Sequence, residues 1–220
     1  MIRLLCFTLT LALAVAGARA DQYWITYEGN DFPENVGWTR ITFNGEAIRF
    51  LDQGNLVIDS RASIMIADFY HMDLAGTLDP DPGEMFIAQW RLLVEESTTL
   101  GDPTFEIRSD DDLAVLFTID EDTLYSVFEP LVRVRFTPGA FHEFELRSSD
   151  MRAYGLYIDG NLALDGSFWP SVAGSFVSWG DGVQGAASLA RWDYFRFGVV
   201  PEPNSALLFS LAFMIRRDRR

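Results

Sequence analysis

The acidic side chains of this sequence offer two kinds of chemistry: paired-carboxylate hydrolysis of glycans and coordination of a hard cation. Hydrolysis needs two carboxylates facing one sugar bond, roughly 5–5.5 Å apart when the anomeric configuration is retained. The nearest local pairs are Glu143 with Glu145, on one face of a strand, and Glu95 with Glu96, on opposite faces if the strand continues. Glu143 and Glu145 are expected on the solvated face opposite Phe144 and Leu146, and pairs assembled from distant segments stay open. Cation binding has three candidate loops: Asp79-Pro80-Asp81-Pro82-Gly83-Glu84, Asp110 to Asp112, and Asp120-Glu121-Asp122. None has the glycine and terminal glutamate of an EF-hand at the required offsets. Asp79, Asp81 and Glu84 are the preferred set, because the prolines preorganise the loop and all-oxygen donors suit calcium. Asp110 to Asp112 also read as a turn whose carboxylates accept local hydrogen bonds. His71 and His142 lack the context of a catalytic triad and are expected as structural residues.

Rings come next, because sugars stack their apolar faces on exposed aromatics. Trp38, Phe168 and Trp169 sit among Gly, Asn, Ser and Pro, so loop exposure is plausible for them, and their role is either glycan contact or covering the edge of the core. Trp90, Trp179 and Trp192 lie in strand-like runs and are expected in the core.

The elements that must carry these residues read as strands. Val132-Arg133-Val134-Arg135-Phe136 and Phe144-Glu145-Leu146-Arg147 alternate with period two. Asn44-Gly45 between Ile41-Thr42-Phe43 and Ala47-Ile48-Arg49-Phe50 predicts a tight hairpin, and Asp159-Gly160 predicts a second. Further strands are expected over 24–28, 55–61, 63–69, 85–95, 104–108, 113–120, 123–128, 175–179 and 191–198. About a dozen short strands separated by Gly, Asp, Pro and Ser predict an all-β, two-sheet sandwich or jelly roll. No repeat of 20–50 residues points instead to a propeller.

The chain has 220 residues, 32 acidic and 17 basic, and every basic residue is Arg. Residues 21–200 carry 11 Arg against 30 Asp and Glu, a net charge of −19. Such a body repels polyanions, so nucleic acid is not an expected partner. Residues 1–20 read as a signal peptide: Arg3, an apolar run from Leu4 to Val15, and small residues Ala18 and Ala20 before the expected cut. Cys6, the single cysteine, leaves with it, so disulfides and thiol chemistry are not expected of the body.

At the other end, Pro201-Glu202-Pro203 precedes an apolar stretch from Ala206 to Ile215 and then Arg216, Arg217, Arg219 and Arg220. This order resembles the PEP-CTERM sorting signal of Gram-negative bacteria. The resemblance implies an exosortase and the secretion machinery as partners, transient membrane anchoring through the C-terminus, and display at the cell surface, outer membrane or extracellular matrix. Ten apolar residues reach about 15 Å, half a hydrocarbon core, so the anchoring is weak.

The body has a resemblance of its own. Pro138-Gly139-Ala140-Phe141-His142-Glu143-Phe144, then Tyr154-Gly155-Leu156-Tyr157-Ile158-Asp159-Gly160, then Trp192-Asp193-Tyr194-Phe195-Arg196 are similar to motifs of concanavalin A-like lectin/glucanase (LamG-like) domains. Phe141 replaces the tryptophan usual before the histidine, and the Glu-x-Asp-x-Glu run of the glucanases is missing. The organisation expected is therefore a signal peptide over 1–20, a concanavalin A-like sandwich over 21–199 and a sorting signal over 200–220. The function expected is a non-enzymatic, lectin-like exported domain that binds extracellular polysaccharide. A matrix or spacer protein is the alternative, and a glycan hydrolase comes third.

Overall fold

The structure, a computed structural model, describes residues 25–74, 78–98, 101–129, 132–171 and 174–202. Within them the chain is two eight-stranded antiparallel sheets packed face to face. The first sheet runs β13 (Asn161–Ser167), β12 (Ala153–Ile158), β11 (His142–Ser148), β6 (Glu84–Ser97), β16 (Ser188–Pro201), β4 (Asn55–Asp59) and β3 (Ile48–Asp52). A short β1 (Ile25–Tyr27) also pairs with β16. The second runs β10 (Arg133–Arg135), β9 (Thr123–Ser126), β8 (Leu113–Ile119), β7 (Thr104–Arg108), β15 (Phe176–Asp181), β5 (Ala67–Asp73) and β2 (Thr39–Phe43). There β14 (Trp169–Pro170) pairs with the start of β8.

Alternation dictates which side chains meet between the layers. In β11 the buried positions are His142, Phe144, Leu146 and Ser148, and the acids and Arg147 face out. Trp90 of the first sheet meets Phe105 of the second at 4.1 Å between ring centroids. Phe195 stacks on Trp179 across the layers at 5.5 Å, 8° from parallel. Trp90, Trp179 and Trp192 are wholly buried, as strand placement requires.

Turn chemistry explains the tight reversals. Asp159 and Gly160 both hold positive φ, 50° and 76°, and join β12 to β13 as expected. Gln53 and Gly54 do the same between β3 and β4. Asn44 and Gly45 also hold positive φ, yet they close no hairpin: β2 pairs with β5 in one sheet and β3 with β4 in the other. Residues 46 and 47 carry the chain across the sandwich, where the Ala47 N–H donates to Asp68 Oδ2 at 2.9 Å and holds the crossing. A second expected strand, over 63–69, begins only at Ala67, because Ser63 and Ile66 are spent on turn hydrogen bonds.

Gly29 marks the tightest backbone approach. Its φ is +68°, and a Cβ built there would lie 2.3 Å from the Asp193 carbonyl oxygen and 2.6 Å from that of Gly54. Gly29→Ala is therefore expected to cost at least about 2 kcal/mol, left-handed strain plus a backbone clash. Urea unfolding measures this, and a loss below about 0.5 kcal/mol, the level of an ordinary surface change, would contradict the geometry.

Candidate functional site

Each sheet turns one face to solvent, and the two faces differ. On the first sheet, charge is tied to charge or to a ring. Glu145 accepts from Gln89 and Arg147, Glu143 from Tyr194, Asp193 from Arg91, and Glu28 from Arg196. Arg147 lies over Tyr157 at 4.2 Å and Arg196 over Tyr194 at 4.1 Å. Glu143 and Glu145 thus stand on the solvated face opposite Phe144 and Leu146, occupied by these partners. Glu95 and Glu96 pair with Arg191 and Arg61 respectively.

The second sheet's outer face is built in rows by the strand register. One row holds Asp73, Phe176, Arg108, Ala114 and Trp169 side by side. The next holds Thr39, His71, Ser178, Glu106 and Leu116. These positions face out because their neighbours Val177, Ile107, Val115 and Tyr70 fill the core. Ser178 and Ala114 are buried although no third layer among the described residues covers them, because the larger Phe176, His71, Glu106, Arg108 and Leu116 stand around them. The result is a floor of small residues with aromatic and charged sides.

The sides are held in place. His71 packs on Phe176 at 4.6 Å, and Arg108 lies over that ring at 4.7 Å. The Arg108 Nε donates to Glu106 Oε1 at 2.7 Å, and His71 Nε2 meets Asp73 Oδ1 at 2.9 Å. A preset carboxylate, guanidinium and imidazole beside aromatic faces can hydrogen-bond hydroxyls and stack on an apolar ring face. The acids of these two rows are Glu106 and Asp73, with β15 between their strands, so about 10 Å separates the two backbones.

No family model matches the sequence, and no curated protein does. Solved structures do resemble it. A carbohydrate esterase from the Shiga toxin-encoding bacteriophage phi24B superimposes with a TM-score of 0.61 at 11% identity, over 82% of this chain and 99% of that one. Cellulose induced protein Cip1 gives 0.54 at 12% identity, covering 80% and 96%. An endo-1,3-beta-glucanase from Streptomyces sioyaensis gives 0.50 at 12%, covering 82% and 90%. The chain has the concanavalin A-like jelly-roll fold.

On this jelly roll the residues singled out by sequence part company. Trp169 is 43% exposed and lies in the first row of the outer face. Trp38 does not share its exposure: at 3% it packs edge-on against Trp179, Phe195 and Phe197 inside the sandwich. Phe168 is also inside, edge-on to Tyr154, because alternation turns it inward when Trp169 turns out. The loop composition around both rings hid their burial.

Asp79, Asp81 and Glu84 are not gathered into a ligand set. The Glu84 carboxylate accepts from the Asp81 N–H at 3.3 Å, while burial, and after it the charges of Asp110 and Asp111 in another loop, push the Asp79 carboxyl up. Among the described residues no three Asp, Glu, His or Cys side chains are grouped to hold a metal. Asp112 is a left-handed turn residue, and Asp120 and Glu121 accept from Ser97. His142 is buried between Asp159 Oδ2 and the Thr137 carbonyl, both at 2.6 Å. His71, expected to be structural, stands in the outer face packed on Phe176, which sequence reasoning did not single out. Their outward alternation with Tyr70 and Val177 was the available signal. Of the sorting motif, Pro201 and Glu202 continue from β16, with the Glu202 N–H donating to the Gly83 carbonyl at 2.9 Å. Ala18, Ala20, Pro203, Arg216 and Arg217 lie outside the described residues.

Proposed function

We propose that this chain is an exported, non-catalytic domain that binds neutral polysaccharide on the outer face of the second sheet. The observation that carries the reading is the row in which exposed Trp169 is followed, across the small Ala114, by Arg108 and Phe176, with Glu106 and His71 in the next row. Such a row presents stacking surface and fixed hydrogen-bonding groups to an extended chain of sugars. The body's net charge of −19 favours uncharged glycans over acidic ones. The names of the similar structures, an esterase and a glucanase among them, agree with a carbohydrate ligand. The C-terminal motif supports delivery by exosortase to the cell surface or extracellular matrix.

Trp169→Ala is expected to weaken binding to neutral polysaccharide by at least about tenfold, or 1.4 kcal/mol, with no change in melting temperature. Glycan-array screening followed by calorimetry on the best ligand measures it. Silence of the wild-type chain across neutral polysaccharides would favour the spacer reading, and reducing ends released by it would favour a hydrolase. Deleting residues 206–220 is expected to change cell retention, and unchanged fractionation would end the sorting proposal.

A further inference from the structure

Where the segment entering β7, the end of β15 and the turn after β4 meet, two carboxyl groups are sealed from solvent. Asp102 is 0% exposed and Asp181 1%. They face one another. As carboxylates both can only accept, and none of their four oxygens receives a hydrogen bond. The groups around them are donors: the N–H groups of Gly182 and Val183 on the Asp102 side and the Ser60 hydroxyl on the Asp181 side, near bonding geometry but outside it.

The charge around them does not balance. Asp68 of β5 is the cross-strand partner of Asp181 and is fully buried. Arg40 of β2 answers Asp68, with its Nε donating to Oδ1 at 2.8 Å, and also bonds exposed Glu46 at 2.9 Å. Three buried carboxylates against that guanidinium leave 1 − 3 = −2 if all are ionised. An uncompensated buried charge is among the most expensive features a fold can hold. A proton placed between Asp102 and Asp181 halves the excess and turns two repelling acceptors into a donor and an acceptor. The one negative charge left is spread over two carboxyls, among N–H and hydroxyl donors.

We propose that Asp102 and Asp181 share one proton in the folded chain, a pH-sensitive clasp between the entry to β7 and the end of β15. The Asp102 hydroxyl donates to an Asp181 oxygen, and the other Asp102 oxygen is left to accept from the backbone. Burial, and after it the contact with Asp181, push the Asp102 carboxyl well up. Burial raises Asp181 as well, and Asp68 adds to the rise, against the bonds from Asp102 and Ser60 that lower it. The two acids titrate as a pair. The charged groups facing them are Asp68 from β5 and, bonded to it, Arg40 from β2. A carboxyl raised in the fold holds a proton that the unfolded chain has already released. Its contribution to stability is complete below the ordinary Asp range and is lost as pH rises through the folded value. Above that value two adjacent carboxylates repel, and the clasp opens.

The test compares the melting temperature of the full chain with that of its Asp102→Asn variant from pH 5 to pH 9. Asparagine copies the protonated acid, because its amide N–H donates to Asp181 and its oxygen accepts from the backbone. The wild-type melting temperature is expected to fall by at least about 5 °C across that window and the variant's by about 2 °C or less, leaving the variant the more stable at pH 9. His71 and His142 are present in both proteins, so their contribution cancels in the difference. If the variant does not fold, infrared spectroscopy of the wild type decides. The carbonyl stretch of one protonated carboxyl should persist at about pH 6.5, where exposed acids are ionised, and fade as the melting temperature drops. Parallel curves for wild type and variant, or a folded wild-type chain with no protonated carboxyl at that pH, would overturn the shared proton.

Discussion

Trp179→Ala is expected to cost about 3–5 kcal/mol, most of the stability of an ordinary domain. Trp179 sits at the centre of the second sheet on β15 with no exposed surface. Its ring contacts Tyr70 and Trp192 at 4.8 Å, Tyr27 at 5.1 Å, Phe195 at 5.5 Å and Trp38 at 5.6 Å. Those neighbours come from four segments of both layers, so no single strand can move in to fill the space. The indole N–H has no hydrogen-bond partner, so the loss is one of packing alone. Trp179→Phe keeps a ring in the stack and should cost visibly less. Urea unfolding of wild type and both variants gives the order, and an alanine variant within about 1 kcal/mol of wild type would refute the account of this core.

Arg40→Ala is expected to be comparably severe, about 3–5 kcal/mol, for an electrostatic reason. The guanidinium grips both oxygens of Asp68, whose side chain is wholly buried beside Asp181. Truncation leaves the carboxylate where water cannot reach it and adds its repulsion to the neighbouring acid. Arg40→Lys should recover only part, because an ammonium cannot copy the two-pronged grip. Removing both partners, Arg40→Ala with Asp68→Ala, should cost less than the sum of the single changes. Strict additivity in that cycle would mean that the pair does not act as a unit. The change also weakens the anchor on the Ala47 N–H, which holds the passage between sheets.

Local rules made much of the fold legible. Alternation placed β6, β11 and β12 correctly, because a half-buried strand must show its period in the residues themselves. Asp159-Gly160 declared its hairpin because the positive φ values it needs are rare elsewhere. The same logic failed at Asn44-Gly45, where the turn was real but its flanking strands found better partners in opposite sheets. The site suffered most from this limit. Trp169 was visible as a ring in a loop-like sequence, whereas Arg108 and Phe176 joined its row only through pairing of β7, β8, β14 and β15. Asp102 and Asp181 sat in turn-like contexts that gave no hint of each other. Burial of Trp38 and Phe168 depends on which side of a strand faces the second layer, which composition does not specify.

The order of the first sheet also fixes a timetable for assembly. An inner strand, β16, is the last of the described strands to be made, and β1, β4 and β6 all wait for it. Ile25 finds Phe197 only when nearly all of the intervening chain has been synthesised. Pairings this distant are slow to close. A ribosome that stalls near residue 187 would release strands with open edges on both sides of a missing neighbour, an invitation to strands from other chains. Incomplete copies of this protein should therefore clump rather than half-fold.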